Sequence, residues 1–382
     1  MRFLTAGESH GKGLVGIIEG LPAGLEISED IIAADLSRRQ MGFGRGNRMK
    51  IEQDRAEIIS GVRFGKSLGS PIGLFIQNKD WENWKERMSV DEPVKPQKEV
   101  TIPRPGHADL AGTQKFGFTD IRNVLERSSA RETAMRVALG AICRKLLKDV
   151  GIEVGSRVVQ IHTAIDDTPI SDKTTLEEMN RLSDQSPVRC LNSEAEAKMI
   201  ESIQNAMDEG DSVGGIFEVI ATGVPVGLGS YTHWDRKLQA RLGEAIMSIN
   251  AIKGVEFGLG FGLASKYGSE IHDEIGFENG HYVRYTNNSG GIEGGMSHGE
   301  PIVIRAVMKP IPTLTKPLMS VDIMSKEPKK AHKERTDSCA VPAASIVGEA
   351  MVCIILADAL LDMTGGDTIG QIKENMTKRM SH

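Results

Sequence analysis

A six-residue pattern of the form Gly-x-Pro-x-Gly-Leu occurs three times, and it constrains the fold more than any other feature of the chain. The copies are residues 20–25, 69–74 and 223–228, and each borders strand-like sequence. Proline belongs at strand edges or starts, and glycine marks bends. The copies at 69–74 and 223–228 adjoin the apolar runs 73–77 and 215–222, which indicates two similar sheet units in one fold. Chance recurrence of turn chemistry is the alternative.

Helical and strand-like patterns are mixed without strict βαβ alternation, which favours an α+β fold over a doubly wound sheet. No charge run or Ser/Pro linker divides the 382 residues. We therefore expect one domain, residues 1–382, with peripheral excursions near 78–100 and 165–210. Apolar spacing predicts strands at 3–5, 14–19, 154–162 and 302–308, and helices at 28–40 and 343–363.

Three further helix starts are predicted from capping residues. Ser129 with Glu132, and Ser193 with Glu196, have the spacing of a capping box. Gly210 is predicted to end the second of these helices. Asp235 is predicted to cap a third helix that runs to about residue 252.

The basic residues are unevenly distributed along the chain, whose net charge is −6. An acidic chain is not typical of a general nucleic-acid binder. A local basic run suits a small polyanion better, because grouped guanidiniums that are buried unpaired are costly. They are therefore expected to face either water or an anionic ligand, and the glycine-rich loop favours the ligand. The run contains Arg38, Arg39, Arg45, Arg48 and Lys50.

The stretch from Pro103 to Arg136 combines a stiff loop with a helix start. Two prolines restrict the Arg104–His107 turn, so both side chains are presented from a rigid loop. Arg127 and Arg131 lie at the predicted N-terminus, where the helix dipole disfavours cations. That placement predicts a bound anion; a solvated helix start is the alternative.

Two of the nine histidines, His10 and His107, lie among small residues in loops tied to a strand or helix. Histidine is the side chain best suited to proton transfer near neutral pH. Asp337 offers a carboxylate for proton abstraction, or it pairs with Arg335. The histidines lack metal-ligand spacing. The glycine-rich stretches match neither a Rossmann fingerprint nor a P-loop.

The four cysteines also lack metal-ligand spacing, and a reducing cytoplasm is expected. We expect no signal segment at the start of the sequence. No apolar run is expected to approach the length of a membrane span.

Eight short motifs together resemble the chorismate synthase family over nearly the whole chain. Each is short, but their common order is highly specific. They are GESHG (7–11), RQMGFGRGNR (39–48), RPGHAD (104–109), RSSARE (127–132), SINAIKG (248–254), GGIEGG (290–295), KPIPT (309–313) and RTD (335–337).

The resemblance implies a 1,4-anti elimination of phosphate from 5-enolpyruvylshikimate 3-phosphate, which gives chorismate in the shikimate pathway. It also implies a reduced FMN cofactor without net redox change, a β-α-β sandwich with an internal pseudo-repeat, and a homotetramer. NADPH is implied as an indirect reductant, since some members assign Arg39 and Arg45 to a pyridine nucleotide. An external flavin reductase is expected, because no segment resembles an added reductase domain.

Roles carried over from the family fall into three groups. His10 would protonate the departing phosphate, His107 would act on the protonation of the reduced flavin, and Asp337 would assist proton abstraction. The substrate anions would be held by Arg39, Arg45, Arg48, Arg104 and Arg131. The FMN would be bound by Arg127, Ser128, Ser129, Asn250, Ala251, Gly294, Lys309, Pro310, Ile311, Pro312, Thr313 and Arg335.

A second class of function is a non-catalytic flavin- or anion-binding protein, including an RNA binder that uses the arginine loop. The acidic charge and the low aromatic content of 4% speak against base stacking. Neither nucleic acid nor a membrane is an expected partner.

Overall fold

Two antiparallel sheets dominate the computed structural model, which describes residues 1–45, 53–93, 95–170, 175–331 and 337–380. The strands of these segments are β1 (Arg2–Ala6), β2 (Gly13–Glu19), β3 (Ala56–Ser60), β4 (Val62–Arg63), β5 (Lys66–Ser67), β6 (Ile72–Gln77), β7 (Glu153–Ile161), β8 (Ala164–Ile165), β9 (Gly215–Thr222), β10 (Ile252–Phe257), β11 (Ile275–Glu278), β12 (His281–Arg284), β13 (Ile292–Glu293), β14 (Met296–Ser297), β15 (Ile302–Met308), β16 (Met319–Val321) and β17 (Pro328–Lys330).

The helices of the same segments are α1 (Glu29–Gln40), α2 (Trp81–Trp84), α3 (Asp109–Phe116), α4 (Arg122–Leu125), α5 (Thr133–Asp149), α6 (Leu176–Gln185), α7 (Ser193–Glu209), α8 (Leu238–Met247), α9 (Gly268–Ile271), α10 (Val341–Thr364) and α11 (Ile369–Met380). Short 3₁₀ helices lie at Ala130–Glu132, Trp234–Arg236 and Gly260–Ser265.

The same strand order occurs in both sheets. The first sheet has the order β1-β2-β6-β3, and the second contains β7-β9-β15-β10 with β8 added at the β7 edge. In each half a helix (α1 or α8) and a small hairpin (β4–β5 or β13–β14) fall at matching places in the chain. The two sheets are therefore an internal pseudo-repeat, as the hexapeptides indicated.

The predicted correspondence between the hexapeptides at 69–74 and 223–228 is wrong. Residues 20–25 match 223–228, because each segment receives the same two hydrogen bonds from its hairpin serine. Ser67 Oγ donates to Pro22 O (2.6 Å) and accepts from Leu25 N (2.9 Å). Ser297 Oγ makes the equivalent bonds to Pro225 O (2.6 Å) and Leu228 N (2.9 Å). Residues 69–74 instead lead from a hairpin into β6.

A layer of helices separates the sheets. α5 packs against β2 and β6 of the first sheet, α10 packs against β7 and β9 of the second, and the two helices pack on each other. Their approach is close at Gly140, where an added Cβ would lie 2.5 Å from the Cβ of Ala350. Contacts this short exclude any larger side chain. The main cluster of buried apolar residues extends through this layer to both sheets. The arrangement is an α+β fold of the β-α-β type.

The helix α10 corrects the expectation that no segment is long and apolar enough to cross a membrane. It has 24 residues and passes that test by length and composition. However, 83% of its most apolar window is buried within the protein. A helix that is apolar on all sides is found either in a membrane or in a large core. Here the other elements cover it.

Local capping chemistry is confirmed at some helix ends and corrected at others. Ser28 caps α1, and Gly210 ends α7 with φ 72°. Ser129 caps a 3₁₀ turn by accepting from Arg131 N, and α5 starts only after that turn. The prediction for Ser193 is wrong, since Asn192 is the cap and accepts from the amides of residues 194 and 195.

The predicted cap at Asp235 is also wrong. Its carboxylate pairs with the ring of His233 (2.6 Å) beside a short 3₁₀ turn. The following helix, α8, begins without a side-chain cap and ends at Met247, five residues before the predicted end.

Candidate active site

One cavity of about 690 Å³ lies where the two halves of the pseudo-repeat meet. Both halves supply the equivalent parts of its wall: the ends of α1 and α8, and the starts of α5 and α10. Its lining includes most of the residues that the sequence singled out. Those are His10, Arg39, Arg45, Arg104, His107, Ser128, Ser129, Arg131, Asn250, Ala251, Lys309, Ile311, Pro312, Thr313 and Asp337.

The imidazole of His10 follows β1 and is held from two directions. Its Nδ1 lies 3.0 Å from Glu126 Oε2, and its backbone N–H donates to the same oxygen (2.8 Å). Its ring stacks on Trp84, with centroids 4.0 Å apart. Burial acts to raise the pKa of Glu126, but the hydrogen bond from His10 and the charge of Arg122 lower it overall. Glu126 is therefore a carboxylate at neutral pH.

The imidazole of His107 is fixed by a carboxylate from its own loop. Its Nδ1 lies 2.6 Å from Asp109 Oδ1, and Asp109 Oδ2 accepts from Arg104 Nε (2.8 Å). Arg104 also donates to Thr313 Oγ1 (2.9 Å), which ties the loop to the segment after β15. Although burial acts to raise the pKa of Asp109, hydrogen bonds from His107 and Arg104 lower it well below its usual range. The rigid loop predicted from the two prolines thus presents both side chains to the cavity.

The arginines converge on the cavity but are partly neutralised inside the protein. Asp54, which is 5% exposed, accepts from Arg131 at 2.6 and 2.7 Å and lies 3.7 Å from Arg39. Arg45 lies 3.3 Å from Asp337. Burial lowers the pKa of Arg39 to about 10; Asp54 opposes this shift, and the charges of Arg45 and Arg131 add to it. The expectation that these arginines face only water or a ligand is therefore wrong, because Asp54 and Asp337 pair with them inside the protein.

A different kind of surface forms the wall contributed by the second half. Asn250 donates through Nδ2 to Ser128 O (3.0 Å), while its Oδ1 is buried and has no hydrogen-bond donor among the described residues. The next residue, Ala251, has φ 67°, a left-handed conformation that costs energy in a non-glycine residue. Lys309 donates to Gly106 O. This wall is therefore less charged than the wall that carries the arginines.

Some predicted residues do not line the cavity. The guanidinium of Arg127 donates to the backbone oxygens of Thr5 (2.8 Å) and Gly7 (3.1 Å). Gly294 lies in the β13–β14 turn, and Pro310 is likewise absent from the lining. Arg48 and Arg335 lie outside the described residues.

Sequence reasoning missed the groups that partner the predicted ones. Glu126, Asp109 and Asp54 hold His10, His107 and the arginines, while Trp84 stacks on His10. Asp109 carried a signal, since it belongs to the RPGHAD motif. Asp54 and Glu126 are 77 and 116 residues from their partners, so no local pattern could find them.

Comparisons with known proteins show which family the chain belongs to. The chorismate synthase family model matches residues 1–361. A chorismate synthase from Aquifex aeolicus (strain VF5) is 54% identical over 389 residues, covering 100% of this chain and 98% of the relative. One from Alkaliphilus metalliredigens (strain QYMF) is 56% identical over 374 residues, covering 98% and 97%.

A crystal structure of chorismate synthase superposes with a TM-score of 0.79 at 44% identity, covering 100% of this chain and 97% of that one. The likeness is thus global in both sequence and fold. The chain belongs to the chorismate synthase family.

Proposed function

We propose that the chain eliminates phosphate and a proton from 5-enolpyruvylshikimate 3-phosphate to give chorismate, with reduced FMN bound beside the substrate. The observation that carries the proposal is the cavity itself. It unites two carboxylate-held imidazoles with four arginines that are up to 92 residues apart in the chain, Arg39 to Arg131. The expected substrate has a phosphate and two carboxylates, which matches this concentration of cations.

The residues present fit a flavin. The buried Oδ1 of Asn250 calls for a donor such as the imide N–H of the isoalloxazine ring. Ala251 and four residues of the 309–313 segment line the cavity, where they would contact a planar ring. Ser128, Ser129 and Lys309 would contribute polar contacts. Arg127, Gly294, Pro310 and Arg335 remain proposals from the family motif alone.

Arg39, Arg45, Arg104 and Arg131 would hold the substrate anions, with Arg48 as a fifth by family analogy. Asp54 and Asp337 keep the guanidiniums in place before the substrate arrives. Burial makes charge-assisted bonds to the substrate strong, because little water competes for them.

His10 would supply the proton to the departing phosphate. Glu126 accepts from Nδ1, so proton exchange would take place at Nε2. Similarly, Asp109 fixes Nδ1 of His107, whose Nε2 would hold or release a proton near the flavin. Asp337 would assist removal of the substrate proton. Reduced FMN, when bound, supplies transient electron density that weakens the C–O bond and is returned at the end.

The wider setting follows the family. The reaction belongs to the shikimate pathway of aromatic amino-acid biosynthesis, and a cytoplasmic location is expected. NADPH would serve as an indirect reductant through an external flavin reductase. A homotetramer is supported by the exposed apolar side chains of the first sheet, where Leu4 (70% exposed) pairs with Ile17 (45% exposed) on the neighbouring strand.

An anaerobic assay of phosphate release tests the proposal. The chain is incubated with 5-enolpyruvylshikimate 3-phosphate and reduced FMN, with oxidised FMN, or without flavin. Release is expected only with reduced FMN, and the flavin spectrum should be unchanged after turnover. Equal release in all three samples would refute the flavin requirement. No release in any of them would refute the reaction.

A further inference from the structure

Trp84 makes three kinds of contact beside the cavity, although the sequence placed it in a surface excursion. Its ring stacks on the imidazole of His10 at 4.0 Å and an interplanar angle of 28°. The guanidinium carbon of Arg122 lies 4.9 Å from the centroid of its ring. Its indole N–H donates to Asp80 Oδ2 (3.0 Å), and Asp80 lines the cavity. These contacts tie the short helix α2 to the site.

The contacts complement the hydrogen bonds of His10. Glu126 holds His10 at its backbone N–H and at one edge of the ring, through Nδ1. Hydrogen bonds from one edge of the ring would by themselves leave it some freedom to tilt about that edge. A stacked aromatic face removes this freedom, because offset stacking has preferred geometry. Glu126 and Trp84 together therefore define both the position and the plane of the imidazole.

We propose that Trp84 is a positioning residue for His10: it holds the imidazole in the plane that presents Nε2 to the cavity. The inference rests on the proposed role of His10 as proton donor.

Charged groups of both signs surround this stack. Glu8 lies on the same loop as His10, Glu126 lies at the end of α4, and Asp80 precedes α2. Arg122 pairs with Glu126 (2.8 Å), and Arg87 lies 5.5 Å from the ring of Trp84. Trp84→Phe and Trp84→Leu both leave these charges in place, and both lose the indole N–H that donates to Asp80. Only Trp84→Phe keeps an aromatic face, so a difference between the two variants reports on that face.

The experiment compares Trp84→Phe, Trp84→Leu and the control Trp81→Phe in the full-length protein. Within the described part of the chain, Trp81 makes no ring contact with His10. Steady-state kinetics with reduced FMN are combined with NMR of histidine labelled with ¹³C and ¹⁵N. The resonances of His10 are assigned by their loss in His10→Gln. Circular dichroism and thermal unfolding check the fold of each variant.

Trp84→Leu should lower kcat by about tenfold while KM stays within about twofold, as expected when a reacting group is misplaced. The ring protons of His10 should lose their upfield ring-current shift, and its Nδ1–H signal should broaden. Trp84→Phe should retain most of the wild-type rate and shift, and Trp81→Phe should resemble the wild type.

Unchanged His10 resonances in Trp84→Leu would overturn the inference, and so would an equal loss of kcat in Trp84→Phe and Trp84→Leu. The NMR result requires no turnover. A wild-type protein that fails to release phosphate would therefore refute the proposed function, and the NMR data would still decide whether Trp84 orients His10.

Discussion

Both imidazoles in the cavity have a carboxylate at Nδ1, and in each case a guanidinium binds the same carboxylate. Glu126 pairs with His10 and Arg122, while Asp109 pairs with His107 and Arg104. The guanidinium keeps each carboxylate ionised, and an ionised carboxylate fixes Nδ1 as the donor. The tautomer of each ring is thus set before any substrate binds.

Glu126→Gln tests this arrangement at His10. The amide keeps the size of the side chain but removes the negative charge that accepts from the imidazole and orients it. We expect kcat to fall by about tenfold or more, which is within the range of general acid–base effects, with little change in KM. The control is Glu177→Gln, which changes an exposed side chain of α6. A variant with wild-type kcat would remove Glu126 from the site.

Asn250→Leu tests the proposed flavin-binding role of the wall that contains Asn250 and Ala251. Leucine has a similar volume but lacks the buried acceptor, and it also loses the bond to Ser128 O. We expect the Kd for reduced FMN to rise by about tenfold, equivalent to about 1.4 kcal/mol for one lost hydrogen bond. Anaerobic fluorescence titration measures the change, and Asn205→Ala on the exposed face of α7 is the control. Unaltered affinity would place the flavin elsewhere.

At the scale of elements, the helix α10 has an acidic residue at its centre. Glu349 is fully buried and accepts from Arg38 (2.8 Å), Arg144 (2.5 Å) and Ser156 Oγ (2.6 Å). Those partners come from α1, α5 and β7, so the network fixes α10 against three other elements. It also holds Arg38, whose neighbour Arg39 enters the cavity. A charge cluster outside the site thereby helps to position Arg39, a side chain that we propose binds substrate.

Glu349→Gln should lower the free energy of unfolding by about 3–5 kcal/mol at pH 7, because buried guanidiniums lose their anion. The dependence on pH is also specific. Burial acts to raise the pKa of Glu349, but the charges of Arg38, Arg144 and Arg189 lower it to about 2. In the unfolded chain a glutamate has a pKa of about 4.3. A lowered pKa contributes stability above the unfolded value, and this stability is lost as the pH falls toward the folded value.

The difference between wild type and variant should therefore shrink between about pH 4.3 and pH 2. Denaturant unfolding at several pH values measures this difference. The control is Glu374→Gln, which changes an exposed side chain of α11. A difference that does not vary with pH would show that the lost stability comes from packing and not from the charge.

Elements with local signals could be predicted from the sequence. The strand β15 has the predicted bounds, Ile302–Met308, since its apolar run is closed by prolines on both sides. The cap of α7 could not be chosen, because Asn192 and Ser193 are both competent and only the path of the chain decides. The pairings of Asp54 with Arg131 and of Glu126 with His10 depend on distant segments, so they become visible only in the structure.

At the scale of the whole molecule, the two halves repeat a fold but divide the chemistry. The first half supplies His10 and the arginines Arg39 and Arg131, while the second supplies Asn250 and Ala251 at the equivalent end of its helix. The first half therefore contributes both imidazoles and the four arginines of the lining, and the second contributes Asn250, Ala251, Lys309 and Asp337. A cavity at the junction between the halves can combine the two only if both halves keep their geometry.

The hairpin serines test that requirement. Ser67 and Ser297 are 4% and 1% exposed, and each makes two buried bonds to the hexapeptide beside it. Ser67→Ala and Ser297→Ala should each lower the free energy of unfolding by about 1–3 kcal/mol, because a buried N–H and a carbonyl lose their partner. The double variant should lose the sum to within about 0.5 kcal/mol, as for independent sites. Chemical denaturation measures all three, and Ser70→Ala, which is exposed, is the control. If only one of the two serines contributed to stability, the halves would share a topology but not the interactions that maintain it.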